Sequence, residues 1–92
     1  MITLQSLITR NETEFVVSEL GNDLVMMNTK SGSYIGLNEV SADIWRQLEH
    51  PAKATQIISH LQSLYEVSED VCETETLECL NAMLKQGLIR YN

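Results

Sequence analysis

The sequence predicts an α+β domain in which a three-stranded antiparallel sheet is followed by three helices. Two observations carry this. Residues 15–37 alternate short β-rich runs with turns built on Gly and Asn. Residues 38–86 instead repeat apolar side chains at helical spacing, with breaks at His50-Pro51 and before Ser68.

Phe15 to Leu20 is the first β-rich run, and "GND" after it supplies residues suited to a tight turn. Leu24 to Asn28 is the second strand, "TKSG" the second turn, and Ser33 to Leu37 the third strand. Strands joined by turns this short are antiparallel neighbours, so the third strand lies at an edge. Met26 and Met27 fall on opposite faces of their strand, which leaves one of them exposed or at an interface. The first dozen residues are ambiguous: "LQSLIT" fits an extended arm or a further strand.

Asn38 or Ser41 caps the first helix, on which Val40, Ile44 and Leu48 recur with Trp45 beside them. Trp45 is suited to anchor this helix on the sheet. His50-Pro51 stops it. A second helix spans about Lys53 to Tyr65, with Ile57, Leu61 and Leu64 on one face. Ser68 caps a third helix whose first turn carries Glu69 and Asp70, and Gly87 ends it near Gln86. "LIRY" then reads as a short extended segment.

Two stripes run along the third helix. Leu77, Leu80 and Leu84 form one, expected to face the core. Cys72, Thr76, Cys79 and Met83 form another, rotated by roughly 100°. The second stripe fits a wider core contact, a homodimer seam or one wall of a groove.

Ninety-two residues make a single domain spanning residues 1–92, with little room for an enclosed active site. No apolar run reaches the roughly 18 residues of a membrane span, and the first residues lack the pattern of a signal peptide. A soluble cytoplasmic protein is therefore expected. The net charge is −7, from 13 acidic and 6 basic side chains. Such a surface repels phosphate backbones and argues against nucleic acid as a partner. Six of the carboxylates lie in "EVSEDVCETETLE", Glu66 to Glu78, without a Lys or Arg. That stretch is a solvated helix face or an attraction for a basic partner segment.

Candidate chemistry is sparse. Cys72 and Cys79 stand seven residues apart on one helix. That spacing separates them by about 10 Å along the axis, too far for a disulfide. His50 and His60 lie at no ligand spacing with a Cys or each other, so no metal is expected. The glycines form no phosphate loop, and no nucleophile sits in a recognisable motif. A Cys79–His60 dyad is the remaining catalytic combination. The sequence thus predicts a binding module, not an enzyme, with no cofactor.

Particular residues then carry a resemblance. Gly32, Tyr34, Leu37 and Asn38 run into a helix bearing Ile44 and Trp45, and the chain closes on Leu84, Gly87, Leu88 and Ile89. In that order and spacing, from about Glu14 to Tyr91, the sequence resembles the PqqD-like family of RiPP recognition elements. These bind the leader regions of ribosomal precursor peptides. The resemblance implies a winged-helix-like fold. It is strongest to the free-standing leader-binding subunit of lasso-peptide biosynthesis, which works with a leader-cleaving cysteine protease and an ATP-dependent cyclase.

The resemblance further implies that a leader adds as a strand between the third strand and the third helix. Ser33, Tyr34, Ile35, Gly36 and Leu37 would then supply the edge. Cys72, Thr76, Cys79 and Met83 would cover the leader's apolar anchors. An uncharged edge suits that role, because open edges recruit strands. Two rivals share the scaffold. One is a PqqD-type peptide chaperone for a radical SAM enzyme. The other is a winged-helix transcription factor, which would want a basic recognition helix where residues 66–78 are acidic.

Overall fold

The computed structural model describes residues 1–92. Its elements are β1 (Leu7–Arg10), β2 (Phe15–Leu20), β3 (Asp23–Asn28), β4 (Tyr34–Leu37), α1 (Glu39–Gln47), β5 (Ala52–Lys53), α2 (Ala54–Leu64), α3 (Glu69–Lys85) and β6 (Ile89–Tyr91). The strands form two antiparallel sheets, ordered β2-β3-β4 and β5-β1-β6. No helix is long and apolar enough to cross a membrane.

The first sheet is the expected meander. Leu20 pairs with Asp23 across a two-residue turn, and Gly21 there has φ +64°. A glycine in that first turn position matches the twist of a hairpin. The inner face buries Phe15, Leu24, Met26 and Leu37, with Ile35 half-buried at its margin. Met27 is half-buried on the outer face, between the exposed Val16 and Tyr34, with the exposed Leu20 at the turn end of the same face.

The second sheet extends the expected architecture. "LQSLIT" leads into β1, which starts at its Leu7 and ends at Arg10, and "LIRY" contains β6; the two pair as Ile8 with Tyr91, Thr9 with Arg90 and Arg10 with Ile89. The Leu7 and Asn92 backbones exchange bonds of 3.3 and 3.0 Å beyond that register. Neither strand is stable alone. Each is specified by a partner at the other end of the chain, so local periodicity does not reveal the sheet.

The helices begin and end where the sequence places their signals. Asn38, not Ser41, caps α1: its side-chain oxygen accepts from the Ser41 N–H at 3.0 Å. Ser68 caps α3 by accepting from the Val71 N–H at 3.3 Å. At the other end Gly87 has φ +79°, and the N–H groups of Gly87 and Leu88 donate to the Leu84 and Met83 carbonyls at 3.0 Å each. This pairing satisfies carbonyls that would otherwise be orphaned.

Ala42, Ile44, Trp45 and Leu48 of the α1 region enter the core, as do Ala54, Ile57, Ile58 and Leu61 of α2. Trp45 is the expected anchor, and the Arg10 guanidinium lies 5.1 Å from its ring centre. Val40 and Leu64 depart from expectation. Both are exposed, because α1 turns its first turn away from the core and α2 ends at Leu64.

The core face of α3 is wider than the leucine stripe: Leu80 is buried as expected, but three members of the second stripe are buried with it. Cys72, Thr76 and Met83 are buried together with Leu80, whereas Leu77 and Leu84 are only half-buried. The buried arc runs from Cys72 through Met83 and Thr76 to Leu80, because α3 packs that side on α2 and β6. Met83, 2% exposed, is core rather than groove wall. Cys72 and Thr76 likewise have their cover from within the protein. Cys79 lies at one margin of the arc and keeps partial exposure.

Candidate functional site

β4 is an edge strand, paired with β3 on one side only. The alternation of an antiparallel ladder decides which of its backbone groups are free. The Asn28 N–H donates to the Ser33 carbonyl at 2.8 Å, one step along the register that pairs Met27 with Tyr34. Hydrogen-bonded pairs recur every second residue, so Met26–Ile35 and Leu24–Leu37 are the bonded pairs. Tyr34 and Gly36 therefore point their N–H and C=O groups outward. Neither residue's backbone groups are used in any turn, loop or cap bond.

No charged side chain blunts this edge. Tyr34 is 70% exposed, Gly36 is exposed, and a Cβ built on Gly36 would meet nothing within 4 Å. The outward amides are thus accessible to another backbone. An open, uncharged edge of this kind accepts an added strand.

Across from it lies α3. Asn38 joins β4 directly to α1, and Ser41 in the first turn of α1 places its Oγ 3.1 Å from Cys79 Sγ. The first turn of α1 therefore forms a floor between the edge of β4 and the middle of α3. Cys79 is the member of its stripe that faces this floor.

The floor opens into an apolar hollow of about 160 Å³. Val40 of α1, Leu61 of α2, Tyr65 and Val67 of the following connection, and Cys72, Glu75 and Thr76 of α3 line it. The Tyr65 hydroxyl donates to Asp43 Oδ2 at 3.2 Å. Burial, together with that carboxylate, holds the Tyr65 phenol above its ordinary pKa, so it remains a protonated donor at neutral pH.

The expected site residues fall into three groups. Ser33, Tyr34, Ile35, Gly36 and Leu37 do lie at or beside the open edge, with Leu37 turned into the core. Cys79 faces the floor, and Cys72 and Thr76 line the hollow from within. Met83 lies in the core, away from both. Val40, Tyr65, Val67 and Glu75 line the hollow without having been expected. Val40 was hidden by its fit to the Ile44–Leu48 stripe, and Val67 stands alone in a polar connection. Its isolation was the available signal.

No curated protein matches the sequence. Two solved structures share its fold. One is "TbiB1 in Complex with the TbiA(beta) Leader Peptide", at 22% identity over 89% of this chain and 94% of that one, with a TM-score of 0.79. The other is "Lasso peptide synthetase B1 complexed with the leader peptide", at 21% identity over 90% and 96%, with a TM-score of 0.75. A sequence family described as Coenzyme PQQ synthesis protein D (PqqD) matches residues 23–89, from the second strand of the meander through Ile89. The edge strand, its floor and α3 all lie within that match, and the chain belongs to the PqqD family.

Proposed function

We propose that this protein is a non-enzymatic adaptor for peptide maturation. It binds the leader of a ribosomal precursor as an added strand on β4, alongside α3. It then delivers the precursor to a leader-cleaving cysteine protease, with a cyclase closing the ring afterwards. The observation that carries this reading is the uncharged edge of β4, whose outward groups belong to Tyr34 and Gly36. The two fold relatives support it, since both were captured with leader peptides.

Holding the leader raises the effective concentration of the core peptide at the enzyme, which needs no catalytic group on the adaptor. Nucleic acid fits this surface poorly. Glu66, Glu69, Asp70, Glu75 and Glu78 are all exposed around α3, where a winged-helix reader would present cations. Fluorescence anisotropy with a labelled lasso-precursor leader and with duplex DNA tests the reading. Saturable leader binding and no DNA binding at physiological salt are expected. Tight DNA binding without leader binding would overturn it.

The family match favours a second reading: the same groove presenting a peptide to a radical SAM enzyme, as a PqqD-type chaperone. Co-purification with a protease or with a radical SAM enzyme separates the two.

A further inference from the structure

We infer that the bound segment is basic: beyond the added strand it carries an apolar anchor for the hollow, flanked by Lys or Arg. This rests on the leader-binding reading and specifies which leaders the site takes. The geometry comes first. A strand paired with β4 that continues past Leu37 passes over the first turn of α1, where Val40 forms one side of the hollow. The hollow is apolar except for Thr76 at its floor and Glu75 at its lip. Thr76 is 3% exposed, and its hydroxyl has only the Cys72 thiol, 3.9 Å away, as a partner. That is a weak bond for a buried hydroxyl, which leaves it available to a polar atom of an occupant.

The charge around the opening has one sign. Glu75 lines it, Glu66 stands between the lining residues Tyr65 and Val67, and Asp43 holds the Tyr65 hydroxyl. None of these three carboxylates is in an ion pair. The ion pairs of the structure join Arg10 to Glu12, Lys30 to Glu14 and Arg46 to Glu19; Arg46 shares α1 with Asp43 but pairs with Glu19 of β2. An acidic or neutral segment would leave the carboxylates unneutralised beside a desolvating peptide. A Lys or Arg on either side of the anchor would pair with them. A second copy of this chain is a poor occupant, because each copy carries a net charge of −7.

A display selection tests this whatever the sequence of the natural leader. A random-peptide library is selected against the whole protein, and one recovered peptide is then labelled for anisotropy. Recovered sequences are expected to place Lys or Arg within a residue or two of an apolar side chain. The double variant Glu66→Gln/Glu75→Gln should weaken the labelled peptide about tenfold, and that loss should shrink at high salt. Recovery of no binders, of binders without a basic excess, or an unchanged affinity in the double variant overturns the inference. The variant Gly36→Pro separates this failure from failure of the strand-addition reading. Peptides that bind Gly36→Pro normally yet require Glu66 and Glu75 refute strand addition while supporting a basic occupant. Peptides that require Gly36 but show no charge preference do the reverse.

Discussion

Met83 and Cys79 lie about one turn apart on α3, yet their surroundings set opposite expectations for the same substitution. Met83 is 2% exposed within the core cluster, so Met83→Glu buries a carboxylate with no partner and should unfold the domain or lower its melting point sharply. Cys79 is half-buried against Ser41, at the floor of the groove, so Cys79→Glu should melt near the parent but lose leader affinity by tenfold or more. Thermal melts and peptide titrations on the pair check this. Equal unfolding of both would show that Cys79 is core as well. Leu80→Ala, at a fully buried position, gives the scale: about 2–5 kcal/mol of stability is expected to go. At this scale the sequence was only partly legible. A helical wheel gives the angles between Leu77, Leu80, Met83 and Cys79 correctly, but it does not give the direction from which α2 and β6 approach. That direction decides which arc is buried, and it shifts the core from the leucines toward the cysteine–methionine stripe.

The meander was legible because its strands are neighbours joined by turns with their own chemistry, as at Gly21. The second sheet was not, because β1 finds β6 at the far end of the chain and β5 is only Ala52–Lys53. Legibility of the β4 edge stops at a similar point. Its lack of charge is in the sequence, but the direction of its amides depends on the register with β3. That register now separates two substitutions. Ile35 points its N–H at Met26, so Ile35→Pro breaks a bond inside the sheet and should cost stability. Gly36 points its N–H outward, so Gly36→Pro removes only a donor that an added strand would use. Gly36→Pro should therefore melt closer to the parent than Ile35→Pro and still lose leader binding. Gly36→Ala, whose Cβ meets nothing within 4 Å, should fold normally and serve as the control. Full leader affinity in a folded Gly36→Pro variant would move the peptide to another surface.

On the scale of the whole molecule, α3 is held from two sides. On one side Cys79 touches Ser41 of α1; on the other the chain's first residues lie across the helix. Ile2 is 2% exposed, and its N–H donates to Asn81 Oδ1 at 3.2 Å. Asn81 in turn donates to the Leu77 carbonyl at 2.9 Å, so one side chain ties the arm to the helix backbone. The amino terminus itself donates to the Tyr91 hydroxyl at 2.5 Å, joining the arm to β6. This arm covers the side of α3 that carries Leu77, which explains why that leucine is half-buried rather than exposed. It follows that the spacing between α3 and the β4 edge depends on residues that touch neither the edge nor the hollow. Removing the Ile2 side chain should loosen α3 on the arm side. Ile2→Ala is expected to cost about 2–3 kcal/mol, toward the lower end for a buried aliphatic side chain, because a terminal arm can adjust. For a domain of this size each kcal/mol lowers the melting point by about 4–8 °C. Hydrogen exchange should then rise in α3 ahead of the β2–β3 hairpin, and leader affinity should fall at temperatures where the domain is still folded. A parent-like melt with unchanged exchange in α3 would show that the helix holds its place without the arm, and that the groove is set by α1 and α2 alone.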